Sequence, residues 1–193
     1  MKLIKLLITL SFTILLTACM TPKGWVKPDD TELLQHEKTN TKFPEIIGDY
    51  KRIDVIPSSN AYVGDQVIYQ NSEKDRISVY IKFDQEANLY FEYSKIALVK
   101  GGVTKAIDDK PLSFANSGKK LIAQTQRGYG KVYTYKVGDK KIYMSQMESI
   151  SVFDMGTYAF KIRSSFLLNP DNPKVALKNA RKAELTILNG LFN

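Results

Sequence analysis

The chain has 193 residues, with 28 Lys and Arg against 20 Asp and Glu, one Cys and one His. That length suits one domain rather than two large ones, and 11 Tyr, 9 Phe and abundant aliphatic residues argue against intrinsic disorder. A single Cys cannot form an internal disulfide, and a single His argues against a conventional zinc site.

The amino terminus has the pattern of a secretory signal peptide. Lys2 and Lys5 give a positive start, and Leu6–Leu16 is an apolar run shorter than the roughly 20 residues that a transmembrane helix needs. The next residues, Leu16-Thr17-Ala18-Cys19, resemble the bacterial lipobox, in which the Cys is acylated and becomes the first residue of the mature chain. The alternative is that Cys19 is only a small residue that ends a signal sequence.

The lipobox resemblance implies where the protein is located. Cys19 would carry a thioether-linked diacylglycerol and an amide-linked acyl chain such as palmitate, and several acyl chains make membrane attachment effectively permanent. In enteric bacteria an Asp after the Cys favours the inner membrane. Met20 stands there, so the resemblance implies a lipoprotein of the cell outer membrane that faces the periplasm, rather than an inner-membrane one.

The charge of the mature chain bears on its partners. Removing residues 1–18 deletes two lysines, which lowers the net charge from +8 to +6. This modest excess suits contact with an anionic envelope component or with another envelope protein, and salt should weaken such contact. Nucleic acid is a poor candidate partner for an exported chain.

Residues 20–42 are polar, contain two Pro and one Gly, and show no sustained apolar period. We therefore predict that residues 19–42 form the lipidated Cys and a flexible tether, with a short helical turn around Thr31–His36. His36, the only His, is expected to be exposed. Trp25, the only Trp, has three open alternatives: packing back onto the domain, resting in the lipid interface, or simple exposure.

From residue 43 onward the sequence predicts one domain, residues 43–193, in the order strand-rich, helix, strand-rich, helix. The predicted strands are Tyr50–Ile56, Asp65–Asn71, Arg76–Phe83, Leu121–Arg127, Lys131–Val137, Lys140–Phe153 and Thr157–Leu168. The predicted helices are residues 86–100, with Asp84 as N-cap and Gly101-Gly102 at the end, and residues 173–191, with Asn172 as N-cap.

Short loops between the predicted strands favour antiparallel pairing, and the two amphipathic helices need a sheet to cover. The clearest strand is Arg76–Phe83, where apolar and polar residues alternate and predict one buried face. The predicted fold is therefore α+β, an antiparallel sheet of about six or seven strands with two main helices packed against it.

Three segments carry a resemblance to known proteins. They are Phe43-Pro44 with Ile47-Gly48-Asp49-Tyr50-Lys51-Arg52, Val79-Tyr80-Ile81, and Gly156-Thr157-Tyr158-Ala159-Phe160-Lys161-Ile162-Arg163. Together they resemble an uncharacterised family of Gram-negative exported lipoproteins, and the order of elements is similar to the PsbP/DcrB-type α/β sandwich. The resemblance implies an accessory or assembly role and no catalytic residues, although a fold alone does not fix function.

Known catalytic motifs are absent from the sequence. There is no G-x-S-x-G elbow with a His base. Two segments superficially resemble phosphate loops, Gly118-Lys119-Lys120 and Gly128-Tyr129-Gly130-Lys131. The first has Ser113 where G-x-x-x-x-G-K needs Gly, and the second has Tyr133 where G-x-G-x-x-G needs its third Gly. Asp29-Asp30-x-Glu32 lacks the pattern of a calcium loop. We predict no catalytic residue, metal or cofactor, and a non-enzymatic accessory or binding role.

The alternative function is an envelope hydrolase that uses two acids, for example on glycan. Its candidate residues are scattered along the chain, and ordinary surface acids are the simpler interpretation. They are Asp84, Glu86, Glu92, Glu148 and Asp154.

One set of residues is a candidate partner-binding surface. Lys131, Tyr133 and Tyr135 alternate along one predicted strand, and Lys161 and Arg163 along another. If these strands were neighbours with coincident faces, they would form a basic, aromatic surface for an anionic or sugar-containing partner. We favour the alternative, in which the tyrosines are half-buried under a helix with the Lys and Arg stems packed along them.

The lipobox resemblance leads to a first prediction. Cys19→Ser should leave unprocessed precursor and abolish incorporation of labelled fatty acid, because the thiol is the acylated group. The measurement is metabolic labelling with a radioactive fatty acid, with precursor and mature forms separated by gel. Normal labelling of the Cys19→Ser chain would show that Cys19 is not the acylation site.

Overall fold

The computed structural model describes residues 21–28, 32–58, 63–107, 110–137, 140–168 and 173–192, with the backbone alone for 131–137, 140–145, 168 and 173. The predicted signal peptide, Cys19 and the predicted N-cap Asn172 lie outside these residues. The strands are Trp25–Val26 (β1), Leu34–His36 (β2), Lys42–Phe43 (β3), Ile46–Ile47 (β4), Tyr50–Ile56 (β5), Asp65–Gln70 (β6), Arg76–Phe83 (β7), Lys105–Ile107 (β8), Ser113–Asn116 (β9), Lys119–Ile122 (β10), Gln124–Val137 (β11), Lys140–Asp154 (β12) and Tyr158–Leu168 (β13). The helices are Ala87–Lys100 (α1) and Pro173–Phe192 (α2).

The described part of the chain is built on one eight-stranded sheet with the order β4-β5-β6-β7-β13-β12-β11-β8. Every neighbouring pair in it is antiparallel. The predicted α+β class is confirmed, and the sheet has eight strands rather than six or seven. Neither described helix is long and apolar enough to cross a membrane.

The sheet has a helix on each side. The inner face, which carries Ile77, Phe160 and Ile162, packs against the buried side of α2. The outer face, which carries Ile150, Val152 and Ala159, packs against Tyr90, Phe91 and Leu98 of α1. Together with the buried Ser94, these α1 residues lie at three- and four-residue steps, so the predicted amphipathic character of this helix is confirmed.

Burial on both faces corrects the prediction for Arg76–Phe83. All residues from 77 to 82 are buried, including Ser78, Tyr80 and Lys82 on the outer face. The reason is that β7 lies at the centre of the sheet, between β6 and β13, where both sides are covered. Alternation of polar and apolar residues marks two different buried environments here, and not one buried face and one solvated face.

The residue that caps the start of α1 differs from the prediction, whereas the end of the helix agrees with it. Its N-cap is Glu86, whose side chain makes no capping hydrogen bond, and the predicted cap Asp84 has a positive φ of 58°. At the other end, Gly102 takes a φ of 100°, and the amides of Gly102 and Val103 bond the carbonyls of Val99 and Leu98. This is a Schellman arrangement, so the predicted glycine end is confirmed.

The segment predicted as a flexible tether packs onto the domain from Trp25 onward. Residues of β1, β2 and β3 form a small antiparallel sheet, so the helical turn expected around Thr31–His36 is wrong. Trp25 is 3% exposed and packs edge-on against His36 and Phe43. His36 is buried, and its Nε2 lies 3.0 Å from Asp65 Oδ2, so the expected exposure of His36 is also wrong.

A buried ion pair joins α2 to the inner face. Arg127 on β11 bonds Glu184 of α2, and Ser164 on β13 donates to the other carboxylate oxygen of Glu184. Both charged side chains are fully buried, so removing one partner would leave an uncompensated charge in the core. This pair fixes where α2 sits on strands β11 and β13.

The fold leads to a matched pair of substitutions. Ile162→Asp should reduce the free energy of unfolding by several kcal/mol, because Ile162 is fully buried and an unpaired carboxylate there has no partner. Ile53→Asp makes the same chemical change at a side chain that is 52% exposed and should alter stability by no more than about 0.5 kcal/mol. Urea denaturation followed by circular dichroism measures both. Equal effects of the two changes would contradict the assignment of faces.

Candidate functional site

A groove of about 580 Å³ lies on the outer face of the sheet, next to the carboxyl end of α1. It occupies the part of that face that α1 leaves open, over β6, β7, β13 and β12. This groove is termed the outer-face groove. Its lining includes Gln66, Gln70, Lys74, Arg76, Ser78, Tyr80, Gly101, Val103, Gln146, Glu148, Arg163 and Ser165.

The strand register explains why these side chains meet. Gln70, Arg76, Ser165 and Glu148 are successive partners across four strands, so they form one row on the outer face. The next rows, two residues along, contain the pairs Ser78 with Arg163 and Tyr80 with Lys161. Residues of one row and the next lie on the same face, because side chains alternate along each strand.

Glu148 is a fully engaged acceptor at one end of the groove. Its carboxylate accepts hydrogen bonds from Arg163 Nε at 3.0 Å, from Ser165 Oγ at 2.9 Å and from Gln146 Nε2. The Glu148 side chain is 11% exposed, and that of Arg163 is 39% exposed. Glu148 therefore orients Arg163 through one nitrogen, while the rest of the guanidinium faces the groove.

Arg76 is a second guanidinium in the groove. It is exposed, and among the described residues its side chain makes no hydrogen bond or ion pair. Arg76 lies opposite Ser165, and Arg163 lies opposite Ser78, so the two arginines are diagonal neighbours on adjacent strands. Diagonal pairs on one sheet face lie within reach of long side chains.

Lys161 lies next to the groove, between the sheet and α1. Its Nζ lies 4.0 Å from the ring centre of Tyr80 and 4.3 Å from that of Tyr90, and it donates to Ser94 Oγ at 3.4 Å. The aromatic faces favour the ammonium form. Burial, and then the positive charge of Arg163, act against it and together lower the pKa of Lys161 to about 7.

The predicted partner-binding surface is divided by the strand order. Its two strands are β11 and β13, and β12 lies between them, so the condition that they be neighbours is not met. The side chains of Lys131, Tyr133 and Tyr135 lie outside the described residues. Arg163 lines the outer-face groove instead, with Arg76 and Glu148, whereas Lys161 lies next to the groove between Tyr80 and Tyr90. The sequence alone did not associate these neighbours with the two residues.

Three of the candidate acids line a second, open groove of about 480 Å³. Asp84, Glu86 and Asp154 lie there, between the start of α1 and the turn after β12, and all three are exposed. Of the other two, Glu92 pairs with Lys95 on α1, and Glu148 belongs to the outer-face groove. Within the described residues, no three His, Cys, Asp or Glu side chains are placed to hold a metal ion.

The chain matches no model of a known protein family, and a sequence comparison with curated proteins finds no match. The candidate site therefore rests on its own geometry.

The environment of Lys161 leads to a pH prediction. The pKa of Lys161 is about 7 in the folded chain and 10.5 in an unfolded one, so the unfolded chain holds an extra proton between these values. The free energy of unfolding therefore gains a positive slope with pH in that range. Lys161→Met should remove this slope and stabilise the protein by at least about 1 kcal/mol at pH 6.5, with a smaller gain at pH 9.5.

Urea denaturation of both chains at several pH values measures this effect. Lys178→Met removes the same charge from an exposed position on α2 and should show no such difference between pH 6.5 and 9.5. A gain from Lys161→Met that does not change with pH would contradict the lowered pKa.

Proposed function

We propose that this protein is a lipid-anchored envelope protein that faces the periplasm and has a non-enzymatic binding role. In this proposal Cys19 is the anchor and the outer-face groove is the binding site. The observation that carries the proposal is the groove itself, a concave and polar part of the sheet that holds two guanidinium groups and several amide and hydroxyl groups. Such convergence of polar groups in a groove is typical of a binding site.

The buried position of Trp25 adds a constraint on distance. If Cys19 is acylated, only about five residues separate the anchor from the packed part of the chain. They span at most roughly 20 Å when fully extended. The domain would then lie close to the membrane surface, which limits its partners to ligands and proteins within that distance of the bilayer.

The carboxylate arrangement in the groove supports binding over hydrolysis. A two-acid hydrolase needs a carboxyl group free to donate a proton and a second one free to act as base or nucleophile. Glu148 is the one acid among the described residues that line the groove. Its carboxylate already accepts hydrogen bonds from Arg163, Ser165 and Gln146. Among the described residues that line the groove, no second carboxylate is present to act with it.

A second candidate function is an envelope hydrolase with its acids in the other groove. The observation that favours it is the meeting of Asp84, Glu86 and Asp154 along one surface depression. Against it stands their exposure, because a catalytic acid is usually kept protonated by apolar surroundings. We therefore keep the binding role as the main proposal.

Site-directed photo-crosslinking in intact cells tests the main proposal. A photoreactive amino acid in place of Gln70, in the groove, should give a discrete crosslinked adduct in the envelope, detected by mass spectrometry of the recovered chain so that a small ligand is seen as well as a protein. The same amino acid in place of Lys178, exposed on α2 on the other side of the sheet, should not. Equal products from both positions, or none from Gln70, would contradict a binding site in the groove.

The same protein, purified in detergent, should show no turnover on peptidoglycan, esters or phosphoesters. Reproducible turnover that is lost in Asp154→Asn or Glu86→Gln would establish the hydrolase in place of the binding role.

A further inference from the structure

We infer that the outer-face groove binds a small anion, a carboxylate or a phosphate on a hydroxyl-bearing molecule such as a sugar derivative, through Arg76 and Arg163. This inference rests on the proposed binding role and names the chemistry of its ligand. It follows from an excess of positive charge that the protein itself leaves unbalanced.

The charges of the groove are unequal. Lys74, Arg76 and Arg163 line it, and Glu148 is the one acid among its described lining residues. Glu148 bonds Arg163 and lies in the same row as Arg76 but two strands away, with Ser165 between them. One carboxylate therefore neutralises one arginine, and the positive charges of Lys74 and Arg76 remain.

The two arginines are placed to act together. They are diagonal neighbours on β7 and β13, with Arg163 held through its Nε by Glu148. Two cations at diagonal positions on neighbouring strands repel each other, and an anion between them removes this repulsion. Guanidinium groups bind carboxylate and phosphate oxygens through paired hydrogen bonds, so an anion between Arg76 and Arg163 would satisfy both.

Neutral polar groups extend the site beyond the anion. Ser78 lies beside Arg163, Gln70 lies beside Arg76, and neither side chain has a hydrogen-bond partner among the described residues. Gln66 donates to the Tyr80 hydroxyl at 3.1 Å at the next row. Amide and hydroxyl groups of this kind bind hydroxyls, and a groove of about 580 Å³ has the size of a small-molecule site.

Lys161, half-buried beside this pair, adds a positive charge when it is protonated. It lies two residues from Arg163 on the same strand face, and burial, followed by the positive charge of Arg163, lowers its pKa to about 7. An anion bound at Arg163 would offset that repulsion.

Isothermal titration calorimetry of the full chain in detergent, at about 50 mM ionic strength, tests the inference. The probes are glucose 6-phosphate, glucuronate and neutral glucose, which share a ring and differ in their anionic group. At least one anionic probe should bind with a dissociation constant below about 1 mM, and glucose at least 10-fold more weakly. The phosphate and carboxylate arms identify which anion the site prefers.

Arg76→Gln should weaken binding of the anionic probe at least 10-fold. Because Arg76 is exposed and has no partner among the described residues, this change should leave the melting temperature within about 2 °C. Lys178→Gln makes the same charge change on the far side of the sheet and should leave binding within 2-fold.

No binding of either anion, equal binding of glucose, or equal loss in Arg76→Gln and Lys178→Gln would overturn the inference. These outcomes are separable from failure of the proposed function, because crosslinking at Gln70 reports a partner of any chemistry. Crosslinking without anion binding would leave the binding role standing and exclude the anionic ligand.

Discussion

The width of the sheet is the constraint on which the rest of the structure depends. Eight strands about 4.8 Å apart make a surface roughly 34 Å wide, whereas a helix with its side chains covers about 10 Å. On the inner face, α2 is supplemented by the small sheet β1-β2-β3 and by the β9-β10 hairpin, which contribute Trp25, Leu34 and Phe114 to the same core. On the outer face, no comparable small sheet or hairpin among the described residues joins α1, and part of the sheet remains open as the groove.

The charged pairs on the two faces of the sheet differ in their exposure to water. On the inner face, Arg127 and Glu184 are buried together and bonded to each other, because each charge is removed from water and needs a partner of opposite sign. On the outer face, Arg163 and Glu148 pair at the edge of the helix-covered region, where the arginine stays partly exposed. The first pair positions a helix, and the second holds a charged group at an open surface.

The sequence predicted the elements with a long, regular period and missed those without one. Strand β7 and both helices follow from alternation and from three- and four-residue steps. Strands β1, β2 and β3 have two or three residues each, too few to show a period, so their segment looked like a polar tether. Similarly, Glu184 interrupts the apolar side of α2, and its burial is explained by partners that lie far from it in the sequence, Arg127 and Ser164.

The groove could not be predicted because it depends on strand order. Arg76 and Arg163 are far apart in the chain and become neighbours only because β7 pairs with β13 rather than with a strand next to it in sequence. Arg76 and Arg163 are like charges at diagonal positions of one sheet face and repel each other. Glu148, the single carboxylate among the described residues that line the groove, balances Arg163. Because Arg76 is exposed, water and salt screen much of this repulsion, and an anionic ligand between the two arginines, as proposed above, would supply the missing negative charge.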